Sequence, residues 1–228
     1  MAVILNIETS TTVCSAALTA EGMVICHRED FQGRNHAALL SGFVKECLDY
    51  GREREMKLDA VAVSMGPGSY TGLRIGLSEA KGLAYALDVP LIGIDTLELL
   101  AVTAMFECDV DGDTLFAPMI DARRMEVFGA VFDMGLNQVV TEGPIILDSE
   151  TFGNVEGGKL LMFGDGAAKA QGVITRPNTE YKDGIVPLAT NMLALSERQW
   201  ARREFLDLAY SVPNYLKDFQ ATKPKAGI

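Results

Sequence analysis

Ser64-Met65-Gly66-Pro67-Gly68-Ser69-Tyr70-Thr71-Gly72-Leu73-Arg74-Ile75-Gly76 joins an apolar run, Leu58 to Ser64, to a long helix-like segment ending near Leu87. A strand that breaks on glycines and restarts as a helix leaves unpaired N–H groups at the helix start, where an anion or another backbone can dock. Gly66 and Gly68 tolerate positive φ while Pro67 fixes its own, so the turn is tight and stiff. It fits no phosphate-binding template. A Walker loop needs Lys and then Ser/Thr after its last glycine, where Leu73 and Arg74 stand, and a dinucleotide fingerprint needs glycine at Thr71. A nucleophile elbow at Ser69 needs glycine at Pro67, and no histidine lies nearby in sequence to serve as its base. The loop reads first as a tight turn and only second as a ligand cradle.

The helix that follows has almost no bulk on one broad side. Gly72, Gly76, Ala80 and Ala84 form one row and Ser78, Gly82 and Ala86 a second. Glycine in a helix interior costs about 1 kcal/mol relative to alanine, so close packing must compensate at Gly76 and Gly82. The protein's own sheet and a helix of another subunit both satisfy that need, and two rows leave room for both.

With 228 residues, 48% of them hydrophobic, the chain suits one large or two small domains with ample material for a core. No apolar run approaches the ~18 residues that span a bilayer, and Glu8 comes too early for a signal peptide. A soluble, cytoplasmic protein without membrane contact is expected. Cys14, Cys26, Cys47 and Cys108 show no C-x-x-C spacing and read as reduced, mostly buried thiols. A net charge of −11 repels a phosphate backbone, and Arg123-Arg124 and Arg202-Arg203 make no basic stripe. Nucleic acid would be bound only jointly with a more basic partner.

In order, Ala2 to Glu8, Thr12 to Thr19 and Met23 to Asp30 read as strands, the last two joined across Glu21-Gly22. Asn35 to Tyr50 reads as an amphipathic helix, with Leu40, Phe43, Cys47 and Tyr50 inward beside Leu39 and Val44, and with His36 as a surface or cap residue of its first turn. Leu58 to Met65 and Pro90 to Ile94 are buried-type strands, and a helix runs from about Thr96 to Phe106. Strands alternating with helices imply a sheet with parallel strands. Cys108 to Asp113 is an acidic turn that resembles a calcium loop but lacks the closing glutamate, and it marks the boundary between lobes at 1–107 and 108–228. Then the opening pattern returns: Leu115 to Ile120 ends in Asp121, Glu126 to Asp133 and Gln138 to Ile146 follow, and Lys159 to Phe163 breaks on Gly164-Asp165-Gly166 where the first half has Gly66-Pro67-Gly68. A degenerate duplication results. Gly172 to Pro187 reads as irregular, and Leu188 to Arg203 as a helix with Met192, Leu195 and Gln199 or Trp200 inward. Val212 to Lys217 is a docking tail and Thr222 to Ile228 a fraying end.

Two βββαβα-type lobes with an acid after each first strand resemble the actin, Hsp70 and sugar-kinase (ASKHA) superfamily. Ile7-Glu8-Thr9-Ser10, Gly66 to Gly76, Asp121-Ala122-Arg123-Arg124-Met125-Glu126-Val127 and Pro213-Asn214-Tyr215-Leu216 are similar to the bacterial TsaB (YeaZ) family over nearly the whole chain, least between Gly153 and Pro187. The resemblance implies an α/β, two-lobed ASKHA fold and an accessory subunit of the machinery that forms N6-threonylcarbamoyladenosine at adenosine 37 of tRNAs reading codons that begin with A. It implies pairing with a metal-binding TsaD paralogue, a TsaE-type ATPase joining them, a homodimer when alone, and tRNA contact only through the complex.

In that paralogue the metal is held by an H-x-x-x-H motif. Thr96-Leu97-Glu98-Leu99-Leu100 is the matching stretch here, and neither Thr96 nor Leu100 offers a nitrogen or anionic oxygen to a transition metal. No catalytic residue, metal or cofactor of its own is therefore expected, although an adenine nucleotide at the joint interface stays open. The resemblance also implies pairing through the two N-lobe helices. This gives His36, Leu40, Phe43, Cys47, Tyr70, Gly72, Leu73, Arg74, Gly76 and Ala80 as partner-binding candidates, with Arg74 the charged anchor. Two alternatives compete. One is a free-standing ATPase or phosphotransferase in which Glu8 or Asp121 positions a Mg²⁺-bound water; the other is a peptidase, for which no metal cluster or Ser/His/Asp spacing is present.

Overall fold

The computed structural model describes residues 2–33 and 35–216. The chain runs β1 (Ile4–Glu8), β2 (Cys14–Ala20), β3 (Met23–Asp30), α1 (His36–Arg52), β4 (Ala60–Gly66), α2 (Tyr70–Leu87), β5 (Leu91–Asp95), α3 (Thr96–Glu107), β6 (Leu115–Asp121), β7 (Glu126–Phe132), β8 (Gln138–Ile146), β9 (Leu160–Phe163), α4 (Ala167–Ala170), β10 (Thr179–Lys182), a 3-10 turn (Ala189–Met192) and α5 (Leu193–Arg202).

The strands form two five-stranded sheets, ordered β3-β2-β1-β4-β5 and β8-β7-β6-β9-β10. In each sheet the first two pairings in that order are antiparallel and the last two parallel. The two halves therefore share strand order and direction, which is the duplicated two-lobed α/β fold expected from the sequence. Glu21 (φ 53°) and Gly22 (φ 73°) make the two-residue turn between β2 and β3, where consecutive left-handed residues match the twist of a hairpin.

Side chains alternate across the first sheet. Leu5 and Ile7 of β1 face α1 and α2, in a cluster with Leu40, Val44, Cys47, Val61, Leu77 and Ala80. Ile4 faces the other way, toward Ile92, Leu99, Val102, Met192 and Leu195. Helix α3 is apolar all round because it lies between the two sheets. Its Leu99 and Val102 meet the first, and its Leu97, Leu100 and Ala104 meet Phe116, Phe132 and Phe163 of the second.

Three sequence expectations change. The face that α1 buries is His36, Leu40, Val44, Cys47 and Gly51; Phe43 and Tyr50 sit at its margin, because the buried stripe steps by four, four, three and four residues. The stretch read as irregular contains β10, whose Thr179-Glu180-Tyr181-Lys182 lies at the edge of the second sheet, half exposed and without an apolar signal. The chain also does not stay in its second lobe to the end. Met192, Leu195 and Trp200 pack on the first sheet, and Leu206 and Leu208 join the α1/α2 cluster, so the division at 107/108 puts these residues in the wrong layer.

No helix among the described residues is long and apolar enough to cross a membrane. Cys14, Cys26 and Cys47 are buried free thiols and Cys108 is half-buried. The fraying end, Thr222 to Ile228, and Lys217 lie outside the described residues.

Candidate functional site

At the glycine loop, the ends of β1 and β4 are pressed against the start of α2. A Cβ on Gly68 would stand 2.3 Å from the Ser10 carbonyl oxygen, one on Gly72 2.1 Å from the Thr9 carbonyl oxygen, and one on Gly76 2.2 Å from Thr9 Oγ1. Three of the backbone N–H groups at this turn are already used. Ser69 N–H donates to the Ser10 carbonyl (2.6 Å) and Leu73 N–H to the Ser69 carbonyl (2.9 Å), and Gly72 N–H donates to the Ser69 hydroxyl that caps the helix (3.2 Å). The segment Thr9-Ser10 packs directly against the glycine face of the turn.

The second-lobe counterpart is closed in the same way. A Cβ on Gly164 would stand 2.4 Å from the Met119 carbonyl oxygen, Gly166 N–H donates to that same carbonyl, and the Asp165 carboxylate accepts the N–H of Asp121 (2.9 Å). Asp121, one of the two carboxylates the ATPase reading needs, is held by Lys169 Nζ and by the Arg123 N–H. The lysine bond and the Arg123 N–H hold its carboxyl below the usual range against a burial effect that raises it.

Glu8, the other such carboxylate, is fully buried, with its Oε1 accepting the Ser10 N–H. Burial pushes its carboxyl up from 4.5 to about 7, against hydrogen bonds from Ser10 and Ser64 that pull it down. The folded chain thus keeps a proton that the unfolded chain has lost. The stabilising contribution is complete below about pH 4.5 and is lost as pH rises through about 7, on the order of 3 kcal/mol. Asp95, raised chiefly by burial, acts in the same sense. Glu8→Gln is expected to flatten the decline in urea midpoint between pH 5 and pH 8; equal slopes in parent and variant would remove Glu8 as a source.

Of the partner-binding candidates, His36, Leu40, Cys47, Gly72, Leu73, Gly76 and Ala80 are buried against the protein's own first lobe. These seven are corrected: they are core residues, those of α1 because they lie on its buried stripe and those of α2 because the first small-residue row lets that helix reach β1. His36 is not a surface residue either, since its Nε2 lies 3.0 Å and 3.1 Å from the carbonyl oxygens of Thr11 and Val13, and donates there. Phe43 is half-buried at the edge of the core. Tyr70 and Arg74 remain on the open side of α2.

That open side is a groove of about 620 Å³ between α1 and α2, lined by Ala37, Ser41, Thr71, Arg74, Ser78 and Glu79 among others. Gly42 of α1 and Gly82 of α2 have open space where a Cβ would go. The second small-residue row, Ser78, Gly82 and Ala86, is exposed throughout. Sequence periodicity found both rows but gave no means of saying which one faces inward.

Among known families, the one described as TsaD, tRNA N6-adenosine threonylcarbamoyltransferase, matches residues 29–225. The tRNA threonylcarbamoyladenosine biosynthesis protein TsaB of Escherichia coli is 30% identical over 98% of this chain and 98% of its own. The chain belongs to the TsaB family. TsaB of Bacillus subtilis is 34% identical over 63% of this chain and 62% of its own length. YeaZ from Pseudomonas aeruginosa superposes with a TM-score of 0.79 at 29% identity, covering 95% of this chain and all of that one.

Within this TsaB-family chain Thr96 and Leu100, the two positions that the sequence resemblance sets opposite metal-binding histidines, lie on α3. Thr96 and Leu100 are both buried, and Leu100 sits among Phe116, Phe132 and Phe163 in the layer between the sheets. Among the described residues no group of three or more His, Cys, Asp or Glu side chains is arranged to hold a metal ion.

Proposed function

We propose that this chain is the non-catalytic partner subunit of the machinery that forms N6-threonylcarbamoyladenosine at position 37 of tRNAs reading codons that begin with A. It pairs with and activates a TsaD-type paralogue, and a TsaE-type ATPase joins the pair; alone, it pairs with a second copy of itself. The process follows from full-length similarity to the Escherichia coli protein of that name. The role rests on one observation: an open groove between α1 and α2 beside an exposed row of small residues, Ser78, Gly82 and Ala86, along which a helix can approach closely.

Chemistry is assigned to the partner. Thr96 and Leu100 supply no metal ligand, and both glycine turns of this chain are filled by its own backbone, which disfavours the free-standing ATPase reading. Any adenine nucleotide used at the joint would be held chiefly by the partner's groups. With a net charge of −11, the chain reaches tRNA through the complex.

Sedimentation of the protein alone and mixed with the TsaD-type paralogue of the same organism, with tRNA modification assayed on the same samples, tests this. A heterodimer and modification that needs both proteins are expected. Modification without this chain, or ATP turnover by the chain alone, would overturn the reading.

A further inference from the structure

Residues 206–216 leave α5 and cross back over the first lobe as a strap. Leu206 N–H donates to the Leu91 carbonyl at the edge of β5 (2.8 Å). Lys81 Nζ of α2 donates to the carbonyls of Ala209 (3.2 Å) and Ser211 (2.8 Å). Asn214 N–H donates to the Met65 carbonyl (2.7 Å), and the absence of a Cβ on Gly66 admits the Asn214 carbonyl, which would stand 3.0 Å from it. These anchors fix the register of the next residue, Tyr215.

Tyr215 closes on Arg74, the one cation lining the groove among the described residues. Arg74 Nε donates to the Tyr215 hydroxyl at 2.9 Å. Its guanidinium carbon lies 4.1 Å from the centre of the Tyr70 ring and 5.9 Å from that of Tyr215, and the two rings are 5.2 Å apart. The two ring contacts of Arg74 are both tyrosines, and among the described residues no carboxylate pairs with it. With Nε engaged by Tyr215, the two terminal nitrogens of the guanidinium make the planar fork that can grip a carboxylate at two points. An arginine already held still loses less conformational freedom when a partner arrives.

We propose that the strap presets Arg74 as a receptor for a carboxylate on the partner's facing helix, with Tyr215 as the positioning residue. The proposal deepens the partner-subunit reading and rests on it. The groove suits such an occupant: Ala37, Ser41, Thr71 and Ser78 leave room beside Arg74, which among the described residues has no carboxylate partner, on a chain whose net charge is −11. The strap also reaches the second lobe, where Asn214 Nδ2 donates to Glu142 (3.2 Å).

The test is calorimetric titration of the full chain against the TsaD-type paralogue of the same organism. Tyr215→Phe removes one hydroxyl and keeps the ring; Arg74→Lys keeps the charge and removes the fork. Each is expected to weaken binding about fivefold to tenfold with an unchanged melting temperature, and the double variant no more than the worse single, since the two residues act as one unit. Unchanged affinity for Tyr215→Phe, or effects that simply add, would overturn the proposal. So would intact partner affinity with weakened tRNA binding by the assembled complex, which would make the group facing Arg74 a phosphate. Ser78→Trp separates this from the reading beneath it. If that variant binds normally the groove is not the interface and both fall; if it blocks binding while Tyr215→Phe does not, only the strap's role falls.

Discussion

Gly72→Ala is expected to destabilise the protein by about 3 kcal/mol, although alanine normally gains about 1 kcal/mol over glycine inside a helix. The new methyl would stand 2.1 Å from the Thr9 carbonyl oxygen, a backbone atom on a segment fully buried between β1 and α2. Relief requires moving the Glu8–Ser10 turn, and with it the Thr9 hydroxyl bond to the Gly72 carbonyl (2.9 Å). For a chain of this size the melting temperature should fall by roughly 6–12 °C. Gly82→Ala on the same helix has open space around the new methyl and is expected to raise stability by about 0.5–1 kcal/mol. Thermal melts of the two variants decide the matter. A stabilised Gly72→Ala would mean that the first small-residue row does not serve close packing on β1.

Ser78→Trp is expected to abolish pairing with the TsaD-type paralogue, raising the dissociation constant at least about a hundredfold, or roughly 3 kcal/mol. Ser78 is exposed and lines the groove between α1 and α2, so an indole there fills the space a facing helix would take without touching the core. The melting temperature of the free protein should not move. Sedimentation or calorimetry would show the loss, and tRNA modification in the reconstituted system should fall with it. An affinity within about threefold of the parent would place the interface elsewhere, since a side chain of that bulk cannot be absorbed by a closely packed seam. Gly76→Leu would be a poor probe of the same question, because Gly76 faces Thr9 of its own chain and the variant would fail through misfolding.

Much of the fold was legible because it depends on local signals. The apolar runs of β1, β4, β6 and β9, the acid that closes β1 and β6, and the glycines that break β4 and β9 fall in the same order in both halves, and this repetition carries the duplicated topology. β10 was missed because an edge strand needs no apolar residues to be a strand; its neighbour β9 supplies the backbone partners.

The sequence by itself determined that α2 has two faces free of bulk, that Arg74 stands out among them, and that Thr96 and Leu100 cannot ligate a metal. Only the tertiary structure decided which small-residue face is spent on Thr9 and Ser10 and which is left open, because the period of a helix gives angles between side chains and not the direction of the sheet. It also decided the fate of the glycine turn, since a string of glycines reads alike whether a phosphate or the protein's own backbone fills it. The bond between Arg74 and Tyr215 spans 141 positions. No local pattern encodes such a contact; it exists because α5 and the strap return to the lobe where the chain began.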